Sequence, residues 1–220
     1  MLRKTTIIIL WLGICATVGY LSPTLPLIKD IIAIKTINIK GTDKFKEEDL
    51  KEIFKSQNWF FLTEDYVNEK LKNYPFVKRA ILYKPQIGQI DIIIEERKPF
   101  AILNYKGKSY VVDKDGEIID NKLSEKDQLI KINVIDSYLP FKEIISKVDF
   151  IYKNLNINPK EFTFSNGEIA IINENNSTLV FSLDNLEEEV KKAKVFFAKN
   201  SIANYSYINF SFDDMIIAKK

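Results

Sequence analysis

The chain has 220 residues, of which 46% are hydrophobic, 12% aromatic and 28% charged, a balance that supports a packed core and excludes a disordered, collagenous or polytopic membrane chain. Histidine is absent and Cys15 is the single cysteine, which removes Ser-His-Asp and Cys-His catalysis, His/Cys zinc sites and internal disulfides. The formal net charge is +2, and Arg3 and Lys4 account for all of it, so no nucleic-acid footprint is expected.

No charged residue occurs between Thr5 and Ile28. The apolar run from Ile7 through Leu12 and on to Leu21 is long enough for a bilayer, since 17 to 20 helical residues reach roughly 25 to 30 Å. With Arg3 and Lys4 ahead of it, the positive-inside rule predicts a cytoplasmic leader over 1–4, a transmembrane anchor and flank over 5–28, and an extracytoplasmic body, with Trp11 and Tyr20 suited to the interfaces. A cleaved signal peptide is the competing reading. No Ala-x-Ala-like site follows the run, and Pro23 and Pro26 come directly after it. A lipoprotein reading of Cys15 meets the bulky Ile14 before it and continued apolar sequence after it.

Alternation begins at Ile34 and ends at Gly41, which predicts a first strand. Residues 46–57 carry Leu50, Ile53 and Phe54 at helical spacing. A second helix is expected from Thr63 as N-cap, with Glu64 and Asp65 in its first turn, an apolar face of Tyr66, Val67, Leu71 and Tyr74, and Pro75 as its stop. Strands over 77–83 and 87–95 around Lys84-Pro85-Gln86 complete a β-α-α-β-β order, for which one three-stranded sheet covered by two helices is the compact solution. Trp59, Phe60 and Phe61, between the helices, are expected in that core.

Arg97-Lys98-Pro99 closes this module, because proline sits at strand ends. Strands are expected over 100–105, 109–112, 117–119 and 129–135, with turns at Lys106-Gly107 and Asp115-Gly116. A helix over 140–155 carries Phe141, Ile144, Ile145, Val148, Ile151, Tyr152 and Leu155 on one stripe. Asn166-Gly167 marks a hairpin between 162–165 and 169–172, and 179–183 continues the sheet. Asp184 with Glu187 reads as a capping box for a helix to about Lys199. Strands over 205–212 and 215–218 end the pattern. The fold class is α+β: an N-terminal anchor, a module over 33–98, and a β-rich domain with two helices over 99–220.

Several motifs carry a family resemblance. Ile37-Asn38-Ile39-Lys40-Gly41, Tyr74-Pro75-Phe76-Val77-Lys78-Arg79-Ala80, the junction from Ile90 to Ala101 including Glu95-Glu96-Arg97-Lys98-Pro99, and Tyr110-Val111-Val112-Asp113-Lys114-Asp115-Gly116 together resemble the FtsQ/DivIB bacterial cell-division proteins. Tyr207 through Asp213 resembles that family's penultimate strand, without its usual Arg near Ser211. The resemblance implies a POTRA module over 33–98 and an FtsQ-like β domain over 99–220. It further implies a non-enzymatic scaffold of the division machinery, single-pass in the inner membrane at the septum, without cofactor or small-molecule substrate. Its implied partners are FtsB/DivIC-like and FtsL-like bitopic proteins and other divisome components. Because a terminal edge strand can accept an added strand, the expected partner-binding residues are Tyr205, Tyr207, Asn209, Phe210, Ser211, Phe212, Asp213, Asp214, Met215 and Ile216. Tyr205, Tyr207, Asn209, Ser211 and Asp213 would share one face, with Ile208, Phe210 and Phe212 on the other.

Other constellations have plainer readings. Glu95 and Glu96 are adjacent on a strand and point to opposite faces, which does not suit acid/base catalysis. Asp113-Lys114-Asp115-Gly116-Glu117 lacks the full spacing of a calcium loop and reads as an Asp-Gly turn. The alternative functions are a POTRA-containing envelope-assembly or secretion factor, which would bring further POTRA copies and barrel strands, and an anchored glycosidase working with paired carboxylates.

Overall fold

The computed structural model describes residues 2–21, 32–54, 57–119 and 129–220. Helix α1, Leu2–Leu21, carries Arg3 and Lys4 at its start and holds the first part of the uncharged run, with apolar side chains such as Ile9 and Trp11 exposed. Among the described residues no helix is long and apolar enough to cross a membrane. The expected flank over 22–28 lies outside the described residues. Contacts divide the chain into two units, Met1–Glu96 and Arg97–Lys220.

In the first unit, β1 (Thr36–Lys40), α2 (Glu47–Phe54), α3 (Glu64–Leu71), β2 (Val77–Gln86) and β3 (Gln89–Glu96) follow the expected β-α-α-β-β order. The sheet order is β1-β3-β2, with β1 parallel and β2 antiparallel to β3. Leu50 and Phe54 of α2 and Val67 and Leu71 of α3 bury against Ile37, Ala80, Ile90, Ile92 and Ile94, one alternating face of the sheet. Thr63 caps α3 by accepting from the Tyr66 amide at 3.3 Å. Gly41 has φ +88°, and a Cβ there would lie 2.2 Å from the Ile94 carbonyl oxygen, so only glycine fits between β1 and β3.

Three expectations need correction here. The helix before Pro75 already ends at Leu71, with Lys72 as its C-cap. The turn between β2 and β3 is at Ile87-Gly88 rather than Lys84-Pro85-Gln86, because Gly88 takes φ +81°, while Pro85 is accommodated by a register shift on an edge strand. Phe60 and Phe61 are exposed rather than in the core, and only Trp59 packs against it.

Among the described residues the second unit is one nine-stranded sheet, ordered β12-β11-β10-β9-β8-β7-β4-β5-β6. Its strands are β4 (Ala101–Tyr105), β5 (Lys108–Val112), β6 (Ile118–Ile119), β7 (Ile130–Val134), β8 (Pro159–Ser165), β9 (Glu168–Asn173), β10 (Thr178–Ser182), β11 (Tyr207–Asn209) and β12 (Ile217–Lys219). Helix α4 (Phe141–Asn154) joins the parallel pair β7 and β8, and α5 (Leu186–Phe197) joins the parallel pair β10 and β11. Both helices pack on one sheet face, where Leu103, Ile132, Phe162, Phe164, Ile171 and Phe181 meet Ile144, Ile145, Val148, Ile151, Val190 and Ala193 in a single core. The opposite face carries a polar ladder in which Ser109 donates to Asn104, Asn104 to Asn133 and Asn133 to Glu161, at 2.7, 2.7 and 2.5 Å. Tyr152, expected on the apolar stripe of α4, is exposed. The capping box at Asp184 is not formed: the N-cap is Asn185, without a side-chain cap bond.

Asp113 anchors the start of this unit. One carboxylate oxygen accepts from the Asp115 and Glu117 amides at 2.9 Å, and the other pairs with Arg97 at 2.6 Å. The turn it forms presses against α4. A Cβ on Gly116 (φ +80°) would lie 2.5 Å from Lys142 Cα, whereas Gly107 (φ +74°) faces open space. Both glycines carry the left-handed penalty of about 1–2 kcal/mol for an L residue, and Gly116→Ala adds a backbone clash. Gly116→Ala is therefore expected to lower the melting temperature of the second unit clearly more than Gly107→Ala. Equal shifts would mean that the turn does not press on α4.

Candidate partner interface

The end of the chain is held by one aromatic side chain. Phe210 is fully buried and stacks on Phe181 with centroids 5.1 Å apart and planes 13° apart, while Phe196 and Phe197 meet its ring edge-on at 5.9 and 5.8 Å. Its amide donates to the Val180 carbonyl at 2.9 Å. Phe210 is thus a core residue, a correction to its place among the expected partner contacts, and Ile208 is buried on the same face. Tyr205 is half-buried against Phe196, and its hydroxyl bonds Asn200 at 3.2 Å.

The remaining expected residues divide by alternation and by a bend. Asn209 is nearly buried on the opposite face, donating to the Tyr207 hydroxyl at 3.1 Å and accepting from the Ser211 amide at 2.8 Å. The strand expected over 205–212 is only Tyr207–Asn209, since the chain bends at 212–214. There Lys192 Nζ donates to the carbonyls of Phe212 and Asp213 at 3.1 and 2.7 Å. Phe212, Asp213, Asp214 and Met215 are exposed and Ile216 is half-buried. The chain then returns antiparallel to β11, pairing Tyr207 with Lys219, Ile208 with Ala218 and Asn209 with Ile217.

The edge strand of the sheet is therefore β12, Ile217–Lys219, which lies just beyond the segment from Tyr205 to Ile216 expected to provide the edge. All three of its residues are exposed, and its outer side has no neighbouring strand among the described residues. The sequence pattern separates the two strands, expected over 205–212 and 215–218, but does not say which of them carries the open edge.

Beside this edge lies a groove of about 670 Å³ lined by Val195, Phe196 and Ile216, with Lys191, Lys192 and Lys199 around it and Glu188 and Asn200 completing the wall. Val195 is 65% exposed on the outer face of α5. An apolar floor with a mainly basic rim, next to an open strand edge, suits an extended or amphipathic segment with acidic residues flanking an apolar anchor.

Glu189 lies under this region. Its carboxylate is buried and accepts from the Ser182 amide at 2.6 Å, tying α5 to the end of β10. Burial pushes its pKa above the ordinary glutamate value, against the Ser182 hydrogen bond and the nearby Lys192, while Asp213 and Glu168 reinforce the rise. A raised folded-state pKa contributes stability that is present below the ordinary glutamate value and lost as pH rises through the folded value. Glu189→Gln keeps an acceptor for Ser182 and removes the titration. The melting temperature of the parent, relative to Glu189→Gln, is expected to fall as pH rises above the ordinary glutamate range. A constant difference would show that Glu189 titrates normally.

Comparison with known proteins bears on the first unit. Residues 32–97 match the family model described as POTRA domain, FtsQ-type. Over those residues the chain is similar to FtsQ-type POTRA domains. The cell division protein FtsQ of Bradyrhizobium diazoefficiens is 35% identical over 66 residues, which cover 30% of this chain and 19% of that protein. The match thus spans about a fifth of that relative's length. The solved extracytoplasmic domain of the cell-division protein DivIB from Geobacillus stearothermophilus, as its trans isomer, aligns over 47% of this chain and 93% of its own, at a TM-score of 0.33 and 5% identity. The POTRA family match stops where the second unit begins, so the candidate site at β12 stands on its own geometry.

Proposed function

We infer that this chain is a membrane-anchored, non-enzymatic scaffold of bacterial cell division. In this reading α1 spans the inner membrane with Arg3 and Lys4 cytoplasmic, the POTRA module over 33–98 and the β domain over 99–220 lie outside, and the protein gathers at the septum. There it binds FtsB/DivIC-type and FtsL-type bitopic proteins and helps recruit and regulate septal peptidoglycan synthesis. Support comes from the FtsQ-type POTRA match and from the uncharged apolar run of α1. The observation that carries the binding role is the open β12 edge beside the apolar, lysine-rimmed groove. A partner segment adds a strand to β12 and seats an apolar side chain between Val195, Phe196 and Ile216. The contact set shifts accordingly from Phe210 and Asn209, which are buried, to Phe212, Met215, Ile216 and β12 itself.

Two experiments test this reading. Binding of the FtsB/DivIC-type ectodomain from the same cell is expected to weaken about thirtyfold, near 2 kcal/mol, on Val195→Glu, with an unchanged melting temperature. Phe210→Ala is expected to cost roughly 3–5 kcal/mol of stability instead. Parent-like binding by both Val195→Glu and Met215→Glu would remove the groove from the interface. For topology, a cysteine at the exposed Lys114 in a Cys15→Ser background should react with a membrane-impermeant thiol reagent in intact cells, after outer-membrane permeabilisation where one exists. Absence of labelling would overturn the orientation.

A further inference from the structure

Two loops meet at one end of the POTRA sheet. Trp59 Nε1 donates to the Gln89 carbonyl at 2.8 Å, and the Trp59 amide donates to the Ile32 carbonyl at 2.8 Å. Lys84 Nζ lies 5.0 Å over the Trp59 ring and donates to the Phe60 carbonyl at 3.4 Å. Lys35 joins the same end, its amide donating to the Gly88 carbonyl at 2.7 Å. Asn58 shapes the aromatic loop, its side-chain oxygen accepting from Phe60 and its carbonyl from Phe61 and Leu62. That turn sends Leu62 into the core and holds Phe60 and Phe61 outward, 54% and 76% exposed, while Ile87 on the adjoining turn is 57% exposed. A hydrogen-bonded loop that presents two phenylalanines to solvent calls for an occupant.

The chain identifies the occupant. This end of the module holds Ile32, where the chain enters it, and β3 carries the chain from Gln89 at this end to Glu96 at the other. Helix α1 stops at Leu21, and the intervening residues 22–31 reach at most roughly 33–36 Å even when fully extended. If α1 spans the bilayer, the aromatic loops belong to the part of the module tethered nearest the lipid surface. Tryptophan, phenylalanine and lysine are the residues that settle at headgroup depth, the rings at the acyl boundary and the ammonium groups at the phosphates.

We propose that Phe60, Phe61 and Ile87 insert into the lipid–water interface of the outer leaflet, with Trp59 at headgroup level and Lys35 and Lys84 toward the phosphates, docking the POTRA module on the membrane. This rests on the reading of α1 as a membrane span. Glu64 and Asp65 open α3 just beyond the loop, so the patch has no large basic surplus. Insertion of apolar rings carries the docking, which does not require anionic lipid.

The chain contains two tryptophans, Trp11 and Trp59, one for each idea. The full chain is reconstituted in two sets of phosphatidylcholine vesicles, brominated near the headgroup end or deep in the acyl chains, so that a tryptophan at either depth is reported. Trp59→Phe leaves Trp11 to report the span, and Trp11→Phe leaves Trp59 to report docking. Both are expected to be quenched, and in the Trp11→Phe background Phe60→Ser with Phe61→Ser should reduce Trp59 quenching at least twofold. Phe61→Ser alone, at the most exposed position, serves if the double variant melts early. Quenching of Trp11 without Trp59 overturns the docking and leaves the span standing. Absence of Trp11 quenching overturns the span, and the docking with it. Trp59 quenching indifferent to the serine substitutions overturns the role of the phenylalanines. Acrylamide shielding of Trp59 beyond that in the detergent-solubilised chain, without quenching by lipid, means a protein covers the patch, and also overturns the proposal.

Discussion

Everything at the C-terminal end hangs on the Phe210 ring. Strands β11 and β12 each have three residues, and each ladder hydrogen bond contributes only about 0.5–1.5 kcal/mol net. So short a ladder does not locate itself. Phe210 inserts between Phe181 of β10 and Phe196 and Phe197 of α5, and burying such a ring stabilises by about 1.5–3 kcal/mol, with further gain from the aromatic geometry. Side-chain packing thus fixes β11, and β11 in turn fixes β12. The open edge is thereby held in place through β11, whose neighbouring residue Phe210 belongs to the core.

Buried polar groups set direction within the same unit. The Arg97–Asp113 pair and the Glu189–Ser182 hydrogen bond are both taken out of water, and burial of charge returns little net stability even when well paired. Their value is geometric. Asp113 takes two amides of its own turn and the guanidinium of the residue that opens the unit, so the turn, the chain entry and the face of α4 are set together. Glu189 joins the first turn of α5 to the last residue of β10. That joint orients the outer face of α5, with Val195, toward the chain end, and Lys192 completes it by holding the carbonyls of the bend at Phe212 and Asp213.

Local chemistry made much of this legible in the amino-acid order. Gly41, Lys106-Gly107 and Asn166-Gly167 sit where positive φ is needed, and the alternation of β3 and β9 and the stripe of α4 marked their buried faces. What could not be read was decided by distant neighbours. Pro85 reads as a turn, yet it lies on an edge strand where no ladder donor is required. Glu187 reads as half of a capping box, but Glu189, one residue pair further on, turns inward to Ser182. Phe60, Phe61, Phe210 and Phe212 are chemically alike in sequence. Only the tertiary structure shows that one fills the core and the other three face solvent, so a site made of exposed aromatics is the feature sequence reasoning places least well.

On the proposed reading, the edge and the groove would do different jobs in binding. Association costs an estimated 4–15 kcal/mol before side-chain ordering, and a three-residue edge offers too few main-chain hydrogen bonds at 0.5–1.5 kcal/mol each to offset it. The apolar floor of Val195, Phe196 and Ile216 must therefore supply most of the affinity. Strand addition to β12 contributes register and direction, because hydrogen bonds to an edge held in place are satisfied in only one alignment. Lys191 and Lys199 at the rim are exposed, so their contribution goes chiefly to encounter rate and to rejection of basic segments. A partner that kept the strand but lost its apolar anchor would then dissociate quickly, and one that kept the anchor but could not extend along β12 would bind without a fixed orientation.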